Sequence, residues 1–307
     1  MTAGGWASPV ETPMTRILVI GRAGQLATAL AEKSWPADIA VACLGRDRID
    51  LAQPSLAREA VLAEKPDLVI NAAAYTAVDK AESEPGLAFA VNRDGPAALA
   101  EACLAIGAPL IHVSTDYVFD GSKRGAYVEE DPVNPASVYG ASKEAGESAI
   151  RARLPTHVII RSSWIYAPMG QNFVRTMLRL GRERPELRVV EDQTGSPTAA
   201  EELARAVAGA AKALLAGGRD YGTFHFAGSG STSWFGLAQA IFELAEGPRP
   251  RLIPIPTSGY PTAARRPANS VLDSSKFARL YGVTARPWRD SLARCLRDIA
   301  AREGGRA

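Results

Sequence analysis

Tyr139 and Lys143 stand four residues apart in the segment VYGASKEAGE, so a helix there carries a phenol and an ammonium on one face. A tyrosine hydroxyl ordinarily titrates near about 10 and is a poor acid–base catalyst at neutral pH. A cation held close to it favours the phenolate and draws that value toward the working range. Tyr-x-x-x-Lys also arises by chance on ordinary solvated helices, so its meaning comes from the elements upstream that must position it.

The first of those elements is RILVIGRAGQLATAL, Arg16 to Leu30. Ile17 to Ile20 form a short apolar, partly β-branched run of the kind expected for a strand buried on both faces. Gly21-Arg22-Ala23-Gly24-Gln25-Leu26 follow, and then apolar residues recur at helical spacing. Gly21 permits the tight turn, Gly24 lets the backbone approach a pyrophosphate at the helix N-terminus, and Ala27 keeps helix and strand close. A plain strand-turn-helix connection would use glycines too. The place at the head of a strand-helix-strand run favours a dinucleotide site.

Which nicotinamide cofactor binds follows from the end of the second strand, Ile39 to Leu44. A carboxylate there would bond the ribose hydroxyls of NAD. Here Arg46 stands where an acid might have been, and a guanidinium suits a 2′-phosphate through charge-assisted bonds. Asp47 is adjacent and leaves NADH possible, so the pattern leans to NADPH. Asp50 and Leu51 then fall where related folds contact the adenine.

Downstream, strands and helices alternate. Asp67 to Asn71 reads as a third strand running into Ala72-Ala73-Ala74-Tyr75-Thr76, small residues that leave room for a nicotinamide or ribose at the carboxyl edge of the sheet. Glu82 to Val91 and Pro96 to Ile106 read as a helix broken and restarted, with Pro96 in a first turn. Pro109 to Val113 is a fourth strand, leading to Ser114-Thr115-Asp116-Tyr117, and His157 to Arg161 is a fifth. Glu129 to Asn134 is a proline-bearing acidic loop whose carboxylates are read as solvated. The alternation implies an α/β fold, a Rossmann-type doubly wound parallel sheet, and the Gly-, Pro- and Ser-rich remainder a smaller mixed α/β substrate-binding domain. The division expected is a loose extension over residues 1–13, the dinucleotide-binding domain over 14–163 and a mainly substrate-binding region over 164–307, with later segments returning to the first domain.

Composition excludes some functions. With 307 residues, 47% of them hydrophobic, the chain can bury a large core. A formal net charge of +2 sets up no global field toward nucleic acid or an anionic membrane. The arginines between Arg286 and Arg306 recur among apolar residues and fit a solvated helix face. Cys43, Cys103 and Cys295 are odd in number and far apart, which suits a reducing cytoplasm and neither a disulfide framework nor a metal site. No apolar stretch approaches a membrane span, and the first thirteen residues lack the pattern of a signal peptide. His112, His157 and His225 lie in strand-like runs without ligand spacing and receive no role.

The motifs GRAGQL, NAAAYTAVDKAE, STDYVFDG, VYGASKEAGE, RSSWIYAPMGQNFVRTML, DQTGSPT and YPTAARRPANSVLD together resemble the extended short-chain dehydrogenases/reductases, and within them the dTDP-4-dehydrorhamnose reductase family. The first and fourth are shared across the superfamily; the others in combination are far more specific, and the likeness runs from about Arg16 to the C-terminal helix. It implies NADPH-dependent reduction of dTDP-4-dehydro-L-rhamnose by a monomer or homodimer. Tyr139 then matches the general acid, Lys143 its partner on the nicotinamide ribose, and Thr115 the hydroxyl on the keto oxygen. Asp116 falls on the same substrate-contacting strand end. Ala73, Ala74, Tyr75 and Val113 match positions lining the nicotinamide half, and Trp164 an indole placed against the sugar. Some members carry a glutamate, used in a metal-bridged dimer, where this chain has Ala29; no metal is therefore expected.

A diphosphate and a flat base also need cations and an aromatic wall. Arg266, in a Pro-rich loop, could present its fork to the diphosphate, and Asn172 and Phe173 open a helix whose N–H groups and ring could face the nucleotide. The plainer alternatives are an Arg266 paired with a carboxylate, a core Phe173, a Thr115 that only caps its strand, and a core Trp164. Two other functions compete: another nucleotide-sugar ketoreductase, epimerase or dehydratase of the superfamily, and a non-catalytic regulatory subunit of the same fold. Asp116-Tyr117 replace the acidic pair expected after the hydroxyl of a dehydratase. A pure binding module has no need of Thr115, Tyr139 and Lys143 together.

Overall fold

The computed structural model describes residues 14–304; the extension expected over residues 1–13 lies outside the described residues. In order the chain forms β1 (Thr15–Ile20), α1 (Gln25–Ala31), β2 (Ile39–Leu44), α2 (Pro54–Glu64), β3 (Leu68–Asn71), α3 (Val78–Ala81), α4 (Pro85–Phe89), α5 (Gly95–Ile106), β4 (Leu110–Thr115), α6 (Val138–Arg153) and β5 (His157–Ser162). Then follow β6 (Ile165–Tyr166), α7 (Phe173–Glu183), β7 (Glu186–Val190), β8 (Thr194–Gly195), β9 (Thr198–Ala199), α8 (Ala200–Leu215) and β10 (Gly222–His225). Last come β11 (Thr232–Ser233), α9 (Trp234–Leu244), β12 (Arg251–Ile255), α10 (Ser275–Tyr281) and α11 (Trp288–Gly304).

Six strands pair in the order β10-β5-β4-β3-β1-β2, every pair parallel. Because successive side chains of a strand point to opposite faces, Ile17 and Val19 join one core with α1, α8 and Phe277. Leu18 and Ile20 join another with α2, α5 and α6. Both faces are covered, which is why these strands read as unbroken apolar runs. The strand order reverses at β1, between β2 and β3, and a ligand crevice is expected at the carboxyl ends there. This is a doubly wound Rossmann-type sheet.

The second part of the chain builds its own core from α7, α9, α11 and the parallel pair β7–β12, centred on Met177, Leu237, Ile241 and Leu296. Two shorter pairs, β6–β9 and β8–β11, join it to the sheet ends. The chain returns to the main sheet with α8 and β10.

The helix expected to break before Pro96 does not break. α4 runs through a π-helical turn, Ala90–Asp94, into α5 with right-handed helical dihedrals at Ala90, Asp94 and Gly95. Pro96 has no N–H for the Asn92 carbonyl four residues back, and the wider turn takes up that loss. Gly146 of α6 is what lets this carbonyl approach, since a methyl there would overlap the Asn92 oxygen. Glu129, expected in solvent, is half-buried and accepts the backbone N–H of His225 at 2.8 Å, because the acidic loop folds back against the last strand of the sheet.

Candidate active site

Gly21 adopts φ +118°, open to glycine alone, and a methyl there would press on Ala27 and on the backbone of Ala72 and Ala73. Gly24 is the N-cap of α1 and offers no side chain to its first N–H groups, and the space beside its Cα is empty. A diphosphate fits such an uncapped start. At the end of β2, Arg22 pairs with Asp47 at 3.2 Å and Arg46 lies 4.0 Å from Asp50. Both guanidiniums are largely exposed, so two cations remain available to a 2′-phosphate and the cofactor position suits NADPH. Asp50 also accepts the Ala52 N–H. Leu51 differs from expectation: its side chain is core and packs on Gly95, so only its backbone can face an adenine.

The loop after β3 is held from behind. Asn71 Oδ1 accepts the Ala73 N–H, and Asn92, within the π-helical turn, accepts the Tyr75 N–H and donates to the Tyr75 carbonyl. Asn92 donates its other proton to Ser142 of α6 at 2.9 Å, so one buried amide ties Ala73-Ala74-Tyr75 to the helix that carries Tyr139 and Lys143. The Tyr75 hydroxyl donates to Glu84. Sequence reasoning passed over Asn92; an asparagine in an apolar helix just before Gly-Pro was its one signal.

Ser137 caps α6 by accepting the Gly140 N–H, and Tyr139, Lys143 and Glu147 then share one face. Glu147, fully buried, accepts from Ser114 at 2.6 Å and from the Arg161 guanidinium at 2.7 Å. These bonds fix the register of α6 against β4 and β5. Burial pushes the Glu147 carboxyl up, but Arg161 and Ser114 outweigh it and hold it below the ordinary range. Lys143 is 2% exposed, and its Nζ donates to the Val113 carbonyl at 2.7 Å and lies 3.2 Å from His112 Nε2. Burial draws the amine down to about 8. His112, assigned no role from sequence, thus lies against the Lys143 amine and bonds Asn71 through Nδ1 at 3.0 Å. A lone histidine in a strand carries no spacing that could have shown it.

Tyr139 is half-buried, and Tyr117 meets it edge-on at 5.7 Å. Its surroundings push the phenol up to about 12 by desolvation, with Thr115 working downward and Asp116 upward. The expected acidification by Lys143 is not realised here, because the amine is held by the Val113 carbonyl instead. Thr115 does cap, accepting the Tyr117 N–H at 3.2 Å, and also donates to Asp116 Oδ1 at 3.0 Å. Asp116 is 2% exposed, and burial raises its carboxyl to about 7. Asp116 Oδ2 and Ser162 Oγ are two of the four buried side-chain atoms without a partner among the described residues, and they lie at the adjoining ends of β4 and β5. A polar ligand reaching the ends of β4 and β5 would find both atoms free to bond.

The remaining candidates arrive from the second part of the chain. Trp164 stacks on Trp234, which Phe173 also meets, at 4.7 Å. Asn172 caps α7 with its own side chain, accepting the Arg175 N–H, and donates to Gln25 of the glycine loop at 2.9 Å. That helix start is therefore already satisfied, and Asn172 joins the two parts. Arg266 is not a free fork: it grips Asp79 of α3 at 3.0 and 2.8 Å.

A Rossmann-type sheet with Thr115, Tyr139 and Lys143 at its carboxyl edge defines an extended short-chain dehydrogenase/reductase. Residues 14–301 match the family described as RmlD substrate binding domain, and the chain belongs to that family. It is 46% identical to the dTDP-4-dehydrorhamnose reductase of Sinorhizobium fredii over 284 residues, 91% of this chain and 96% of the relative. The crystal structure of a dTDP-4-dehydrorhamnose reductase from Clostridium acetobutylicum superposes with a TM-score of 0.88 at 37% identity, covering 93% of this chain and all of the other. That from Bacillus anthracis, solved in complex with NADP, gives 0.86 at 36%, covering 93% and 99%.

Proposed function

We infer that this chain is an NADPH-dependent oxidoreductase that reduces the 4-keto group of dTDP-4-dehydro-L-rhamnose to give dTDP-L-rhamnose. The observation that carries the reading is that α6 sets Tyr139 and buried Lys143 on one face, with Tyr117 edge-on to Tyr139, while Thr115 and the unsatisfied Asp116 and Ser162 lie at the adjoining ends of β4 and β5. Among the described residues no helix is long and apolar enough to cross a membrane, and we place the reaction in the cytoplasm.

NADPH, when bound, supplies the hydride. Gly21 to Leu26 would hold its diphosphate, Arg22 and Arg46 its 2′-phosphate, and Ala73 to Tyr75 with Val113 its nicotinamide half. Negative charge grows on the keto oxygen as C4 is reduced and must be met where it develops. Tyr139 gives that oxygen its proton; a phenol pushed up to about 12 keeps the proton at neutral pH until the stronger base appears. Thr115 adds a second hydrogen bond once its hydroxyl turns from Asp116. Lys143, fixed by the Val113 carbonyl, holds the ribose with a remaining N–H. Trp164 and Phe173, joined through Trp234, would face the nucleotide-sugar side, and Asn172 and Arg266 brace it through Gln25 and Asp79.

The test is consumption of NADPH by the purified protein with a dTDP-4-keto sugar. Tyr139→Phe is expected to abolish turnover and leave NADPH affinity nearly unchanged, since only the proton donor is lost. A parent that consumes no NADPH, or a Tyr139→Phe variant near the parent's rate, overturns the reading.

A further inference from the structure

Trp164 adopts φ +47°, one of two non-glycine residues with positive φ among those described. A bulky side chain tolerates that backbone only where its surroundings over-determine it, and here they can be named. The indole lies on Trp234 with ring centres 3.5 Å apart and planes 6° from parallel. Gly195 abuts the same ring, and any side chain there would overlap its Cε2 and Nε1. The Trp164 carbonyl accepts the Thr198 N–H at 3.2 Å.

Trp234 is itself anchored. It opens α9 just after Ser233, which caps the helix by accepting the Gly236 N–H. Its Nε1–H donates to Gln193 at 3.2 Å, Gln193 donates to Thr257 at 3.0 Å, and Thr257 donates to Asp192 at 2.6 Å. The Trp164 Nε1–H, by contrast, finds no acceptor among the described residues, and the residue is half-buried, not sealed. With one ring face covered by the stack, the free polar group of Trp164 is this N–H. That N–H is not one of the buried unpartnered atoms, so it is open and free to donate to a ligand.

We propose that Trp234 is a positioning residue of the nucleotide-sugar site: its stack, backed by the chain from Gln193 to Asp192, holds Trp164 in the left-handed conformation so that the indole N–H donates to an oxygen of the bound sugar. Trp164 contributes a hydrogen bond in place of a flat wall, and Trp234 decides whether that bond is made. The inference rests on the nucleotide-sugar reading of the site.

Kinetics and circular dichroism of the full-length protein test it. Stacked indoles give a coupled signal, expected in the parent and lost in both Trp164→Phe and Trp234→Ala. Trp234→Ala is expected to raise KM for the dTDP-4-keto sugar about tenfold, the loss of one hydrogen bond of about 1.4 kcal/mol, with NADPH affinity unchanged. Trp164→Phe, which deletes the donor, should raise KM by the same factor, and the double variant no further. Trp234→Phe keeps an aromatic partner and should restore most of the parent's KM although the coupled signal is gone. A Trp234→Ala KM within about twofold of the parent's overturns the proposal. So does a parallel loss of NADPH affinity that Trp234→Phe does not restore. If Trp234→Ala does not fold, Trp234→Phe and Trp164→Phe decide, the proposal failing when both keep the parent's KM. A parent inactive on the keto sugar overturns the functional reading instead, before any variant is compared.

Discussion

Asp116, at the end of β4, keeps one carboxylate oxygen buried without a partner while its neighbour accepts from Thr115. Burial lifts its pKa from an ordinary carboxylate value to about 7. In the window from about 4 to about 7 the folded protein still holds a proton that the unfolded chain has released, so folding stability is lost as the pH rises through it. Asp116→Asn removes the titration and nearly keeps the shape. The variant is expected to gain on the parent as pH rises from 4 to 8, ending more stable by on the order of 1–3 kcal/mol. Denaturation midpoints of the two proteins across that range check it; parallel profiles would show that Asp116 is not strained by its burial. A free enzyme that keeps a carboxyl poised beside Thr115 and Tyr139 at this cost is built for a polar ligand.

At the scale of elements, the site depends on how α6 meets the π-helical turn. Asn92 ties the Ala73–Tyr75 loop to Ser142, and its carbonyl lies where a side chain on Gly146 would stand. Gly146→Ala is therefore expected to destabilise the protein by about 1–3 kcal/mol, the ordinary cost of overpacking, and to lower turnover by shifting Tyr139 and Lys143. Gly86→Ala, in exposed α4 with nothing near its Cα side, is the control and should gain about 0.4–1 kcal/mol. Thermal melts of the pair check the contrast; equal effects would mean that the contact of α6 with Asn92 is loose. The alternation of strands and helices was legible because buried parallel strands leave unbroken apolar runs. The π turn was not, since its cause is a missing N–H at Pro96 and a facing glycine fifty residues later.

For the whole molecule, the long loop between β12 and α10 is fastened to α3 by Arg266 and Asp79, which also accepts the Ala264 N–H. The guanidinium hydrogen bond holds the Asp79 carboxyl below its ordinary range, so this part of the stability is present above the unfolded pKa and lost as pH falls through the folded one. The pair is partly exposed. Arg266→Ala and Asp79→Ala should each lower stability, and a double-mutant cycle at neutral pH should return a coupling of up to ~1 kcal/mol. No coupling would show that the loop is held by packing alone. Of the two readings the sequence offered for Arg266, the pairing with a carboxylate is the one the structure shows.

What the sequence by itself determined is local: the glycine turn after β1, the helical spacing of Tyr139 and Lys143, the hydroxyl at the end of β4, and the basic end of β2. Each depends on residues within one or two turns of each other, where backbone geometry alone sets direction. The tertiary structure decided what each group touches. It bound the Lys143 amine to the Val113 carbonyl, put Leu51 in the core, gave Asn172 its own helix to cap, closed Arg266 on Asp79, and laid Trp234 on Trp164. Those partners lie seventy or more residues apart in several cases, and burial, which sets both their pKa values and their spare hydrogen-bonding capacity, exists only once the two parts of the chain have packed together.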